Sequence, residues 1–362
     1  MRVKILSLLI AIFSIVSFSG CDCCKEKEAK YVFYFIGDGM GFSQVVAAEY
    51  YSAFLEDGRI GNNSISFTKF PVLGMASSYS ASNVITCSSA AGTALSTGFK
   101  TNNGFLGVAP DSTDLESIAY KIHDAGFKVG VMSTVSLDHA TPGAFYANSV
   151  KRSDYYSIAV QMADSDFEFF GGGGFIDPKG KKGDQRSAYE IIGEEGYVIA
   201  AGMDEFQTKK GNAEKMLLLQ AAGVESHELP YAIDRGEEDM KLSDLVSSAI
   251  EFLEGQDGFF VTAEAGRIDW AAHSNDAKTA ILETLDLADA VEVAYQFYLK
   301  HPDQTLIVVT ADHETGGLKL PSNPSKSNLT NSCFTEKVHT AANVPLFYTG
   351  KRSEKLATVK DN

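Results

Sequence analysis

Asp269 and His273 stand four residues apart in Arg267-Ile268-Asp269-Trp270-Ala271-Ala272-His273, shortly after Glu264. On a helix beginning near Asp269 these two share one face, a turn apart. A carboxylate and an imidazole so placed can bind one zinc ion. An acidic helix start followed by a surface histidine would look the same. Asp312 and His313 are adjacent in Thr310-Ala311-Asp312-His313-Glu314-Thr315-Gly316-Gly317. Neighbours point apart along a regular strand but can share a metal where the chain turns; a polar turn is the plain alternative. Asp38 lies in Gly37-Asp38-Gly39-Met40-Gly41, where glycines leave room for a ligand or ion close to the backbone. Neither this stretch nor Gly171 to Gly174 has the Gly-Lys-Ser/Thr ending of a phosphate-cradling loop, and the glycine-rich stretch reads as a structural turn. Ser88 opens a run of small residues, Ser88-Ser89-Ala90-Ala91-Gly92, that can start a closely packed helix. Free amides and the dipole at such an end favour a phosphate or a serine alkoxide. Capping the helix is the commoner task of a serine there, and spacing alone does not separate the two.

These groups hold a common position relative to the elements around them. Apolar runs at residues 31–36, 129–132, 259–262 and 306–310 suit buried strands of a parallel sheet. Each is followed by polar residues: Asp38, then Ser133 to Thr141, then Glu264, then Asp312-His313. Helical patterns lie between, at residues 277–299 and at 242–253, where Leu242, Leu245, Val246, Ile250 and Leu253 recur at helical spacing. Alternating strands and helices predict an α/β sandwich. Ligands of such sheets bind beyond the carboxyl ends of the strands, where every cluster above falls. Residues 177–204, containing Lys179-Gly180-Lys181-Lys182-Gly183, and residues 321–337, rich in Ser, Asn and Pro, read as solvated excursions.

The chain has 362 residues, 44% hydrophobic and 22% charged, the balance of a soluble globular protein. Its net charge of -16 argues against a nucleic-acid-binding surface or a broad basic membrane-binding face. An anionic substrate would need a local positive site, such as metal ions, inside that repulsive field. Arg2 and Lys4 precede an apolar run of 14 residues, Ile5 to Phe18, short of the roughly 20 that a spanning helix needs. Residues 1–20 therefore read as a signal peptide. Phe18-Ser19-Gly20-Cys21 resembles a bacterial lipoprotein cleavage box, with Cys21 lipidated and residues 21–30 as a tether. An uncleaved anchor or an ordinary leader is the alternative. The expected place is outside the cytoplasm, in the periplasm or cell envelope, on a lipid anchor. Five cysteines, three of them at the leader junction, make no disulfide framework. Residues 31–362 read as one catalytic domain.

Residues 31–43, 85–104, 129–156, 229–235, 259–276, 306–317 and 339–350 together resemble the alkaline phosphatases, in order along nearly the whole mature chain. The resemblance implies a three-layer α/β/α sandwich with a largely parallel central sheet and surface insertions. It implies hydrolysis of small-molecule phosphate monoesters through a phosphoserine on Ser88. Two zinc ions and one magnesium ion are expected. Asp269, His273 and His339 would hold the first zinc, and Asp38, Asp312 and His313 the second. Asp38, Thr141 and Glu264 would hold the magnesium, with His139 behind them. The ligand types agree with hardness, imidazole and carboxylate for zinc and oxygen alone for magnesium. Arg152 matches the family's phosphate-binding arginine, whose planar fork donates two parallel hydrogen bonds. A homodimer is also implied.

Two positions depart from the family's pattern. Cys87 stands where many members have an Asp that orients the arginine, which leaves Arg152 without that ion pair and puts the grip on phosphate in question. Trp270 stands where others carry a charged residue or His, making the rim of the substrate pocket more aromatic. A phosphodiesterase or sulfatase of the same superfamily would share the zinc ligands, but Thr141, Glu264 and Arg152 favour monoesters. A lipid-anchored protein that binds metal or phosphate without catalysis is the remaining alternative.

Overall fold

The computed structural model describes residues 28–56, 65–221, 227–325 and 327–354. The expected leader and the lipid site Cys21 lie outside the described residues. The strands are β1 Tyr31–Gly37, β2 Val72–Ala76, β3 Lys128–Ser133, β4 Phe169–Gly172, β5 Tyr197–Ala201, β6 Lys215–Leu219, β7 Phe259–Ala265, β8 Thr305–Ala311, β9 Glu314–Thr315, β10 His339–Thr340 and β11 Val344–Gly350. The helices are α1 Phe42–Glu56, α2 Ser88–Thr97, α3 Ile118–Asp124, α4 Ala140–Gly143, α5 Tyr155–Asp164, α6 Ala188–Glu194, α7 Gly202–Lys209, α8 Leu242–Leu253, α9 Arg267–His273 and α10 Ala277–Lys300.

Nine strands form one sheet in the order β2-β11-β8-β1-β7-β3-β4-β6-β5, and β9 pairs with β10 beside it. β11 is antiparallel to both its neighbours, β2 and β8. The remaining pairs of the large sheet are parallel. β7 is buried along its whole length, as a strand covered on both faces must be, and its residues Phe259-Phe260-Val261-Thr262-Ala263 carry the apolar character that this requires. Side chains alternate across the sheet. Phe33 and Phe35 turn to one face with Val261, Ala263, Ile307 and Val309, under α8 and α10. Ile36 turns to the other with Val129, Val131 and Phe260, under α5 and α6. The predicted α/β/α sandwich is thus observed. On α8, Leu242, Leu245, Val246, Ala249 and Leu253 make one buried stripe. Each such side chain contributes roughly 1.5–3 kcal/mol by leaving water.

Two expectations about the excursions need correction. Residues 177–204 are not wholly solvated: after an exposed Lys-Gly turn they form α6, the edge strand β5 and the start of α7. Ile192 of α6 and Tyr197 and Ala200 of β5 are buried, and a short half-buried edge strand has no long apolar run to announce it. Residues 321–337 are irregular, yet Leu329, Cys333 and Phe334 are buried against Ala272, Ile281 and Leu318. Of the second glycine run, Gly171 and Gly172 close β4 rather than forming a turn; a Cβ on Gly172 would lie 2.9 Å from the Ser133 carbonyl. Among the described residues no helix is long and apolar enough to cross a membrane. Cys87 and Cys333 are free thiols.

Candidate active site

The sheet register lines up the chemistry. Gly37 of β1 pairs with Ala265 of β7 and with Ala311 of β8, while Glu264 of β7 pairs with Ser133 of β3. Asp38, Asp312 and Glu264 therefore emerge side by side at the carboxyl ends of adjacent strands. The turn after β1 needs Gly39: its φ is +75°, and a Cβ there would come within 2.9 Å of the Asp269 Cα. Its N–H donates to Asp312 Oδ1 at 3.1 Å, tying that turn to the end of β8.

Three groups of metal-type ligands result, each with ligand atoms within 4.8 Å of one another: Asp38, Asp312 and His313; Asp269, His313 and His339; Asp38, His139 and Glu264. Asp38 and His313 are fully buried, as are Asp312 and nearly all of Glu264. His313 Nε2 lies 3.1 Å from Asp312 Oδ2 and 3.4 Å from Asp38 Oδ1. The rings of His313 and His339 stack with centroids 3.5 Å apart. His339 is brought there by β10, which pairs it with Thr315 of β9.

The histidines are prepared as ligands. His273 donates from Nδ1 to the Lys337 carbonyl at 2.6 Å, and His339 from Nδ1 to the Thr86 carbonyl at 2.9 Å. Each therefore turns its Nε2 toward Asp269, at 3.3 Å for His273 and 3.6 Å for His339, and the hydrogen bond to Asp269 raises His273 to about 9. Such second hydrogen bonds fix the tautomer that binds metal. His273 touches Asp269 one turn away on α9, as its spacing predicts, although His313 rather than His273 completes the tightest group around Asp269 and His339.

The electrostatics ask for cations. Burial, then repulsion from Asp312, Asp269 and Glu264, pushes Asp38 well above the usual carboxylate range. Burial raises Glu264 to about 7 against a hydrogen bond from Ser133. Burial and the charge of Asp269 raise Asp312 to about 8. Neither Asp38 oxygen takes a hydrogen bond, and Glu264 Oε1, Thr141 Oγ1 and His139 Nδ1 are likewise buried without one. Four carboxylates taken out of water with unused lone pairs are strongly unfavourable unless a positive charge joins them. The donor set, oxygen-rich on the Glu264 side and mixed with imidazole on the other, fits hard and borderline divalent ions.

Ser88 is the first residue of α2, and Cys87 rather than Ser88 is the N-cap residue. Its Oγ lies 3.3 Å from His313 Nε2, between the helix end and the ligand groups. Arg152 Nη2 lies 3.1 Å from His139 Nε2. Trp270 sets its ring edge-on to His139 at 5.9 Å between centroids. His139 thus stands beside Asp38 and Glu264 themselves, closer than the supporting place expected of it. Residues 123, 227 and 301 remain ordinary histidines; His123 and His301, for instance, face Glu168 and Glu254.

Two residues of the site carry no signal of their own in sequence. Ser133 donates from Oγ to Glu264 Oε2, and Thr315 donates from Oγ1 to Asp269 Oδ1. Each sits within a polar run already marked by its place after a strand, but only the sheet register shows what it touches. A third is Glu314, whose buried carboxylate accepts from Gln44 Nε2 at 2.9 Å, from Thr340 Oγ1 and from the Gly317 N–H. It ties α1, the 313–318 turn and β10 together, and so holds His313 near His339.

A sequence model described as alkaline phosphatase matches residues 29–169 and 176–362. Alkaline phosphatase 4 of Bacillus subtilis (strain 168) is 32% identical over 342 residues, which are 91% of this chain and 70% of the relative. The solved alkaline phosphatase from the Antarctic bacterium TAB5 superposes with a TM-score of 0.78 at 31% identity, covering 93% of this chain and 95% of that one. A mutant of that enzyme, at 30% identity, a TM-score of 0.77 and the same coverages, has been solved with Mg bound in the M3 site. The chain belongs to the alkaline phosphatase family, whose members hydrolyse phosphate monoesters.

Proposed function

We propose that Ser88 is the nucleophile of a two-step hydrolysis that passes through a phosphoserine. The observation that carries this reading is the placement of Ser88 Oγ at the N-terminus of α2, 3.3 Å from His313 Nε2 and beside ligand groups that need cations. Asp269, His273 and His339 would hold one zinc, Asp38, Asp312 and His313 a second, and Asp38, Thr141 and Glu264 a magnesium. The magnesium of the TAB5 mutant supports such a third ion. When bound, these ions supply the positive charge that acidifies a serine hydroxyl or water and steadies a departing oxygen.

The chain's own residues do the rest. Ser88 Oγ forms its bond to phosphorus as the ester oxygen leaves with a proton. Water then attacks the phosphoserine, releasing phosphate and returning a proton to Ser88. The first amides of α2 have no partners within the helix and face the anion. Arg152 donates to the equatorial oxygens, where charge is concentrated in such transfers. Replacing Ser88 with Ala should lower turnover of an aryl phosphate at least about 10³-fold while leaving metal content intact. Wild-type protein quenched in acid should carry phosphate on the Ser88 peptide. An unchanged rate in the variant, or faster hydrolysis of a bis-aryl phosphate than of the monoester, would overturn the reading. Chelation should abolish activity and zinc restore it.

We propose further that the mature chain is exported and lipidated at Cys21, on the strength of the leader pattern. Fractionated cells should hold the wild type with membranes and release the Cys21→Ala protein; a soluble wild type would rule this out. A homodimer completes the proposal and is argued below.

A further inference from the structure

Glu314 stands between His313 and Thr315, is 4% exposed, and belongs to none of the three groups of metal-type ligands. Both of its oxygens accept hydrogen bonds. Oε1 takes Gln44 Nε2 at 2.9 Å and the Leu318 N–H at 3.3 Å. Oε2 takes the Gly317 N–H at 3.3 Å and the Thr340 hydroxyl. Four donors on two oxygens suit an ionised carboxylate, which only accepts, and a buried polar group of this kind persists where its hydrogen bonds are met. The turn that carries Asp38 makes room for it: a Cβ on Gly41 would overlap the Glu314 Cγ.

His339 depends on this carboxylate more than the other ligands do. β10, which carries it, has two residues, and residues 335–338 before it and 341–343 after it are exposed. So short a strand buries no apolar face of its own. His339 Nδ1 donates to the Thr86 carbonyl, which fixes how the ring turns. Where its backbone lies is fixed through Thr340, paired with Glu314 in the β9–β10 register. Thr340 Oγ1 donates to Glu314 and accepts from the Ala342 N–H at 3.3 Å. Glu314 is itself held to α1 by Gln44 Nε2, which also donates to the Thr315 carbonyl at 2.8 Å. Thr315 in turn donates to Asp269. One carboxylate thus joins the pieces of chain that bring His339 to Asp269 and His313.

Resting on the zinc assignment above, we propose that Glu314 is a positioning residue for the first zinc. Acting through Thr340, it fixes His339 opposite Asp269 and so sets how firmly that group holds its ion, without touching the ion. Asp38 and Asp312 follow β1 and β8, seven-residue strands inside the large sheet, and need nothing from β10. The effect of the Glu314–Thr340 bond is therefore confined to one ion of the set.

The test is competition of zinc-loaded full-length protein against graded chelator, with zinc per chain counted at each step. Thr340→Val, of the same shape without the donor, should lose one zinc at about tenfold lower chelator than the wild type, the usual worth of a hydrogen bond behind a metal ligand. Its other ion should stay at the wild-type level. Glu314→Gln should weaken the same ion, because its amide nitrogen meets the Gly317 N–H donor to donor. In His339→Ala protein, Thr340→Val should cause no further loss, since the ligand it positions is already gone. Turnover by Thr340→Val should return to the wild-type rate in excess zinc. A wild-type zinc profile in either variant, release of all ions together from Thr340→Val, or a further loss on the His339→Ala background would overturn the proposal. A wild type that holds zinc and hydrolyses monoesters while the variants give any of those results would sink this inference alone. A wild type that holds no zinc would sink the assignment beneath it.

Discussion

Cys87 holds the N-cap position of α2 without making a capping hydrogen bond. Its thiol instead contacts Ser89 Oγ at 3.2 Å and accepts from Gly104. Burial would raise the thiol, but these hydrogen bonds and the charge of Arg152 outweigh it and hold it below its ordinary value. An anion is therefore tolerated here. Cys87→Asp should cap the first turn and complement the helix dipole, stabilising the fold by about 1 kcal/mol. It should also give Arg152 a carboxylate and lower KM several-fold. Urea denaturation and KM for an aryl phosphate measure both; a destabilised protein with unchanged KM would refute the prediction. At this scale much was legible and some was not. Helical spacing put Asp269 and His273 on one face, but an acidic helix start with a surface histidine has the same spacing, and family resemblance made the choice. Ser88 was not legible alone, because a serine at a helix start is usually a cap, and its role depends on His313, which lies 225 residues away in the chain.

α10 is tied to the 229–235 segment by buried charge, and that tie predicts a pH dependence. Arg235 makes two hydrogen bonds to Asp286, at 2.6 and 3.1 Å, and Glu283 Oε1 accepts from the Ala232 N–H at 2.6 Å. Burial pushes Glu283 up to about 7. A carboxyl raised in the folded state contributes its full stability below its unfolded value, near 4.5, and loses it as pH climbs toward 7. Glu283→Gln keeps the acceptor and never ionises. It should match the wild type at pH 4 and exceed it above pH 7, by on the order of 2–3 kcal/mol. Chemical denaturation across that range checks this, and a constant difference between the two proteins would contradict it. Elements of this kind were readable where their pattern was long: residues 242–253 and 277–299 recover α8 and α10 almost to the residue. β9 and β10 have two residues each. Nothing so short has a period, so the arrival of His339 at the site was visible only through family resemblance. β5 was hidden for a related reason, the lysines and glycines before it outweighing five residues of which only Tyr197 and Ala200 are buried.

The large sheet ends in β2, and the exposed side of that strand bears on how many chains make the working molecule. Leu73 and Met75 of β2 are 60% and 56% exposed, and Val84 in the segment leading to α2 is 74% exposed. Tyr79, Ile85 and Phe99 add to the exposed apolar surface around them. An edge strand with apolar side chains in water is a place where chains pair unless charge blocks it. β2 carries no charged residue, despite a net charge of -16 on the whole chain. Pairing there would also bring the partner close to residues 77–87, which run directly into Ser88. The homodimer implied by the family is therefore expected to form through β2 and this segment. Sedimentation at micromolar concentration should give a dimer for the wild type. Leu73→Lys with Met75→Lys should give a monomer with an unchanged circular dichroism spectrum, because both side chains are mostly exposed and lysine on an edge strand opposes pairing. Its turnover should fall less than that of Ser88→Ala, since no site residue is altered. A wild type that stays monomeric at tens of micromolar, or a double variant that still sediments as a dimer, would remove this surface from the proposal.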